Sequence, residues 1–301
     1  MSHHCRAAAL AAAAILAAQP AFAHAIAGVR VFPVTLTLDD PGVADEATIP
    51  EIQFQPEPGS TTTQIQWEFD KTITPATALI YNQGYNFMQQ KGAKNYSAIQ
   101  NAVLTGKWQA WVSPEHEFLM SLGVQEEFNA TAATANAGGD MYGATSPTFY
   151  FGKGLGDLPI GNLRPLAVTG ELSYAIPNRL LNAALDNSGN PRAINAGLSI
   201  QYSIPYLESQ VKDHGLGEFF GRLIPLAEMT YFTPASAPAG GFPMRLQFSA
   251  GAVYLADTYQ VGLEMLIPGN RAAGSSLGVV AQFHVFLDDI FPDSLGKPLF
   301  Q

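Results

Sequence analysis

The chain of 301 residues contains a single cysteine, at position 5, ahead of everything expected to fold. That excludes a disulfide framework, a thiolate metal site and a cysteine nucleophile. Charge is scarce as well: Asp, Glu, Lys and Arg make up 13% of the residues, where soluble globular proteins carry about 25%. Positive charge is the scarcer sign, with 15 Lys+Arg against 25 Asp+Glu and a formal net charge of −10. So acidic a chain has no electrostatic footprint for a phosphate backbone, which excludes nucleic acid as a partner. Beyond residue 23 no apolar run approaches the ~20 residues of a spanning helix. The histidines (3, 4, 24, 116, 214, 284) show no metal-ligand spacing past residue 23, and no serine sits in a nucleophile motif. Gly152-Lys153-Gly154-Leu155-Gly156 lacks the spacing of either phosphate-binding loop. No catalytic residue, metal or cofactor is therefore expected.

What the chain does have begins with an export signal. Arg6 supplies a positive start, Ala7 to Ala18 is an unbroken run of Ala, Leu and Ile, and Ala21-Phe22-Ala23 offers a small-x-small cleavage site. Cleavage after residue 23 would remove Cys5 and Arg6, leaving 14 Lys+Arg against 25 Asp+Glu, a net charge of −11. His24 would become the first residue, a position known for copper sites, although such a site needs a second histidine that the sequence does not place. An exported chain without a spanning helix either stays soluble in the periplasm or enters an outer membrane as a barrel.

The strongest pattern is alternation. In Thr61 to Asp70 the residues Thr61, Thr63, Ile65, Trp67 and Phe69 share one face, and Thr62, Gln64, Gln66, Glu68 and Asp70 the other. Period two means a strand with one apolar and one polar face. Written around a closed barrel, the apolar face meets lipid and the polar face lines a lumen. Twelve such strands are expected, near 51–55, 61–73, 76–87, 99–112, 117–128, 148–153, 166–176, 194–204, 223–232, 245–254, 258–267 and 277–290. Pro75, Pro114, Pro177, Pro205, Pro234, Pro268 and Pro292 stand at their ends, where a residue with no backbone donor belongs. Tight links at 74–75, 113–116 and 256–257 alternate with long ones at 89–98, 129–147 and 177–193, the barrel habit of short turns on one side and long loops on the other. The links 154–165 and 206–222 break this alternation. Either they carry small helices, as Leu216 to Arg222 hints, or two strands are miscounted.

With apolar residues on lipid, the inward set is predicted to include Gln64, Gln66, Glu68 and Asp70, then Lys107 and Gln109, then Glu171, Gln201 and Glu228, then Arg245 and Gln247, then Glu264, and finally Gln282 and His284. Five of these are carboxylates, facing Lys107, Arg245 and His284. An excess of acid in a lumen favours cations; alternatively, these charges pair across a narrow barrel and plug it.

Three segments resemble a known group: His24-Ala25-Ile26-Ala27-Gly28 with Arg30-Val31-Phe32-Pro33, Trp67-Glu68-Phe69-Asp70-Lys71, and Phe283-His284-Val285-Phe286-Leu287-Asp288-Asp289-Ile290-Phe291-Pro292. They are similar to proteobacterial outer-membrane β-barrels, loosely to the barrels of phenol-degradation operons (the MetA pathway). The resemblance implies location and fold, and no substrate or catalytic residue. The expectation is an all-β, antiparallel, up-and-down transmembrane barrel in the outer membrane of a Gram-negative cell, with both termini periplasmic. It comprises a signal peptide (1–23), an irregular periplasmic extension (24–50), the barrel (51–292) and a tail (293–301). Expected partners are the lipid bilayer and lipopolysaccharide, the barrel-assembly machinery during insertion, and a small solute in passive passage or uptake. Two alternatives stand beside this porin-like reading: an outer-membrane enzyme acting on lipid with His284 as base, and a soluble periplasmic β-sandwich that binds a ligand.

Overall fold

The computed structural model describes residues 25–129, 132–139, 142–178, 191–235 and 242–300; the expected signal and His24 lie outside them. A short hairpin, β1 (Ala25–Ala27) and β2 (Arg30–Phe32), is followed by an irregular stretch and then by strands only: β3 (Glu46–Glu57), β4 (Ser60–Thr74), β5 (Thr77–Gln90), β6 (Tyr96–Ile99), β7 (Ala102–Ser113) and β8 (Phe118–Phe128). The second half holds β9 (Ala144–Gly154), β10 (Leu166–Pro177), β11 (Ala193–Tyr202), β12 (Leu223–Pro234), β13 (Arg245–Leu255), β14 (Tyr259–Pro268) and β15 (Gly278–Phe286). Every neighbouring pair is antiparallel, and β15 pairs with β3, so twelve strands close into one barrel; β6 is a short extra strand against β5. A single closed sheet has no second layer, which overturns the sandwich alternative. Among the described residues no helix is long and apolar enough to cross a membrane.

The alternation runs through the barrel as the side-chain period requires. On β14, Gln260, Gly262, Glu264 and Leu266 are buried while Val261, Leu263 and Met265 are exposed. Phe54, Phe69, Leu79, Leu122, Leu172, Ile200, Phe248, Val279 and Phe283 extend the exposed apolar belt around the other strands. A belt of that extent is the outward face of a barrel immersed in lipid. Leu263 lies mid-strand within it at 58% exposure. Leu263→Arg should therefore cost about 2–4 kcal/mol of stability in a bilayer, read as loss of the heat-modifiable folded band across a urea series, and Leu263→Ala much less.

Several boundaries differ from the sequence reading: the strand expected at 99–112 begins at Ala102, and that expected at 148–153 spans Ala144–Gly154. The first barrel strand starts at Glu46, ahead of the expected 51, and its register shifts between Thr48 and Glu51 against β4. Ile49-Pro50 forms this bulge, since Pro50 has no donor for the ladder. Inward residues are Glu46 and Thr48 before it but Glu51, Gln53 and Gln55 after it, so the parity breaks. The last strand ends at Phe286, where Leu287–Ile290 turns into helix. The irregular links do carry small helices, Gly161–Leu163 in one and Ile204–Tyr206, Leu207–Val211 and Gly217–Gly221 in the other.

Candidate functional site

The N-terminal extension, whose relation to the lumen the residues alone leave open, is folded into it over residues 25–45. A chain with Phe32, Val34, Leu36 and Leu38 cannot leave these side chains in water, and each is at most 8% exposed. Phe32 packs with Ala25, Ala27, Leu119 and Ala167, and Leu36 with Leu226, Val253, Leu266 and Val280. The wall makes room by omission. An added Cβ at Gly197 would meet Leu38 Cδ2 at 2.0 Å, one at Gly262 would meet Leu36 Cδ1 at 2.5 Å, and one at Gly152 would meet the Phe32 ring at 3.2 Å. At the hairpin turn, Gly28 has φ +68° and lies so close to Pro114 that a Cβ would sit 2.4 Å from its carbonyl oxygen. No other residue type meets both conditions cheaply.

Polar anchors fasten this plug at four levels. At the end of the barrel that carries the turn Pro114–His116, Arg30 is fully buried and donates from Nε (3.1 Å) and Nη2 (3.0 Å) to Glu117 Oε2, and from Nη1 to the Pro165 carbonyl at 3.0 Å. Its guanidinium carbon stands 3.8 Å over the Tyr206 ring, whose hydroxyl donates to Glu117 Oε1 at 2.7 Å. Glu117 is the one non-glycine with positive φ (47°) among the described residues. Such strain persists where surrounding bonds over-determine it. Higher up, Lys107 Nζ donates to Asp39 Oδ1 and to the Asp40 carbonyl, both at 3.0 Å, and Ser121 Oγ donates to the Pro41 carbonyl at 2.5 Å. On the opposite wall the Thr37 N–H (2.9 Å) and hydroxyl (2.6 Å) donate to Glu228 Oε2, and Gln260 Nε2 donates to the Val34 carbonyl at 2.7 Å. Where the plug turns into β3, Asp45 accepts from Lys71 Nζ at 2.6 Å, from the Thr72 N–H at 2.9 Å and from the Thr72 hydroxyl. Lys71 also donates to the carbonyls of Leu295 and Lys297, joining the C-terminal tail to this clasp. Burial beside Asp289 pushes the neighbouring Asp288 carboxyl up to about 7.

Above the plug, towards the long loops, the lumen stays open. One cavity of ≈ 440 Å³ is lined by Asp39, Glu51, Glu68 and Glu171 among amides and hydroxyls, and a second of ≈ 460 Å³ near the loops shares Thr37, Gln125, Glu171, Thr230 and Gln247 with it. Glu68 accepts from Asn82 Nδ2 at 3.1 Å and Glu51 from Gln282 Nε2 at 3.3 Å. Among the described residues, the ion pairs formed by Lys and Arg reach none of Glu51, Glu68 and Glu171. The space is an acidic vestibule floored by residues 34–39 of the plug.

The predicted lining residues divide between these two regions. Gln66, Glu68, Glu171, Gln247 and Gln282 line the vestibule, with Gln64 beside Gln66 over Gly84. Arg245 stands at the loop-side rim, its guanidinium carbon 4.5 Å from the Phe232 ring centre. Asp70, Lys107, Gln201, Glu228, Glu264 and His284 are buried beneath or beside the plug, and Gln109 lies on the same inward row as Lys107, opposite Ser121. His284 is 1% exposed and set between Thr48 Oγ1 (2.8 Å to Nδ1) and Glu46 Oε2 (3.1 Å to Nε2), away from lipid. The sequence reading missed Arg30, Thr37, Asp39, Asp40, Glu51 and Glu117. Only Glu51 carried a signal, its place opposite Gln66 once the bulge is allowed for.

No protein-family model matches the chain, and no curated protein matches it in sequence. Solved structures do resemble it. The NanC porin aligns over 79% of this chain and 98% of its own at 8% identity (TM-score 0.49), and LpxR from Salmonella typhimurium over 80% and 99% at 10% identity (TM-score 0.42). The beta domain of the Bordetella autotransporter BrkA aligns over 82% and 99% at 11% identity (TM-score 0.40). The likeness to phenol-operon barrels is not among these matches and rests on the three quoted segments alone. Its structural neighbours are outer-membrane β-barrels.

Proposed function

We propose that this chain is a porin-like channel of the outer membrane that takes up small cationic or hydrogen-bonding solutes from the loop side. The observation that carries this reading is the vestibule: three carboxylates, Glu51, Glu68 and Glu171, face a water-accessible space, and among the described residues no Lys or Arg ion pair reaches them. Clefts lined by one sign of charge between low-dielectric walls concentrate counter-ions. The apolar exterior belt and the apparent export signal support the location. His284 is committed to Glu46 and Thr48 inside the lumen, which favours the channel over a lipid-acting enzyme using it as base.

In this reading the plug sets the resting conductance, because the lumen beneath the vestibule is filled by residues 25–45. The purified full chain in a planar bilayer under a KCl gradient should show small unit conductance and a reversal potential on the cation-selective side. Anion selectivity, or no conductance under any applied potential, would sink the proposal.

A further inference from the structure

Behind the plug, three polar residues on adjacent strands face one another, and four of their oxygens make no well-formed hydrogen bond. Glu228 on β12 is paired in register with Ser249 on β13, and Glu264 on β14 is paired with Gly251, whose missing side chain leaves the carboxyl free to lean towards both. All three are at most 3% exposed. Glu228 spends Oε2 on Thr37 of the plug. Its Oε1, both carboxyl oxygens of Glu264 and the hydroxyl of Ser249 have no hydrogen-bond partner. Glu264 nonetheless interacts with Glu228 and Ser249, without a well-formed bond to either. Leu36, Leu226, Val253, Leu266 and Val280 form an apolar cluster beside them, Val280 being the register partner of Glu264, while Thr35 and Thr37 of the plug and the Glu51 carboxylate face them from the other side. Among the described residues, no ion pair of a Lys or Arg reaches either carboxylate.

Buried polar groups are normally hydrogen-bonded, and a buried carboxylate without a counter-charge is costly. Four unpartnered oxygens from two carboxylates and a hydroxyl are instead the donor set of a hard cation. Ser249 is the independent sign: an acid pair alone could share a proton, but a buried hydroxyl beside Glu264 that makes no well-formed hydrogen bond fits a shared ligand. We propose that Glu228, Glu264 and Ser249 form a buried site for a hard divalent cation of the calcium class. The ion would fix Glu228, whose second oxygen holds Thr37, so the same ion would tie the plug to the wall.

The test uses the refolded full chain, stripped with EDTA and then dialysed against calcium chloride, with bound calcium measured by mass spectrometry. Wild type should hold one calcium per chain more than Glu264→Gln, and calcium should raise the heat-modifiable unfolding midpoint of the wild type only. Ser249→Ala, which keeps both acids, should weaken binding by about tenfold, the scale of losing one supporting group. If Glu264→Gln does not fold, Glu228→Gln and Ser249→Ala carry the comparison. Equal calcium content in wild type and variants would place the ion elsewhere on this acidic chain and overturn the site. A wild type that binds no calcium and keeps its midpoint would mean that the two carboxyls share a proton, which overturns it equally. Metal content and midpoint are read without conduction, so this result stands apart from the channel reading.

Discussion

Lys107→Met should release the plug and raise unit conductance several-fold while leaving the barrel closed. The ammonium has a side-chain exposure of 1% and is held by Asp39 Oδ1 and the Asp40 carbonyl of the plug, with Asp40 Oδ1 3.8 Å away. Asp70 and Glu68 of the wall also feel its charge. Methionine keeps the length and apolar bulk but leaves these carboxylates facing one another unneutralised. Removing one partner of a buried ion pair costs about 3–5 kcal/mol, because the other charge stays desolvated. The molecule can avoid that cost in one of two ways. It can open the wall, which means breaking eleven register pairs on one side of β7 or six on the other, or it can let residues 34–42 leave, which breaks a few side-chain bonds and exposes Leu36 and Leu38. The second is cheaper, so the heat-modifiable band should persist while conductance rises. Lys107→Arg, which keeps the charge, should retain the small conductance. Unchanged conductance in Lys107→Met would mean that the ion pair does not hold the plug.

The second large effect is on selectivity. Neutralising the vestibule with Glu51→Gln, Glu68→Gln and Glu171→Gln together should remove most of the preference for cations. At an effective dielectric constant of ~40 and a distance of ~8 Å, one carboxylate contributes about 1 kcal/mol to a passing monovalent ion. Three acting together, partly screened, favour cations roughly tenfold or more. The measurement belongs at ~0.1 M salt, where the screening length is ~10 Å; at 1 M it falls to ~3 Å and the difference should fade. Each substitution keeps a polar side chain of nearly the same size, so Asn82 and Gln282 retain an oxygen to bond. Glu218→Gln, on the helix Gly217–Gly221, should leave selectivity as it is. If the triple variant remains as cation-selective as wild type, the vestibule is not the filter.

Much of this architecture is legible in the residues, and where it is not, the reason is specific. Period-two patterns such as Gln64-Ile65-Gln66-Trp67-Glu68-Phe69 state their own faces, because a strand turns each successive side chain by half a circle. The predicted lining residues followed from that rule alone. It fails at Ile49-Pro50, where a bulge resets the parity, and it fails near Gln109, where the β7–β8 register shifts before Trp111. It also gives no account of Leu119, Leu226, Val253 and Val280, apolar residues on the polar side, until Phe32 and Leu36 are seen to need them.

What the sequence by itself determined is therefore the class of structure: twelve strands with one apolar and one polar face, closed because so much outward apolar surface needs lipid around it. Only the tertiary structure decided that residues 25–45 occupy the lumen and that Glu228, Ser249 and Glu264 meet behind them. Strand faces are set by local geometry, within a few residues. The plug is held by contacts such as Arg30 with Glu117, 87 residues apart, and Thr37 with Glu228, 191 apart. Those pairings depend on barrel closure and on where glycine leaves room, and no local pattern encodes either.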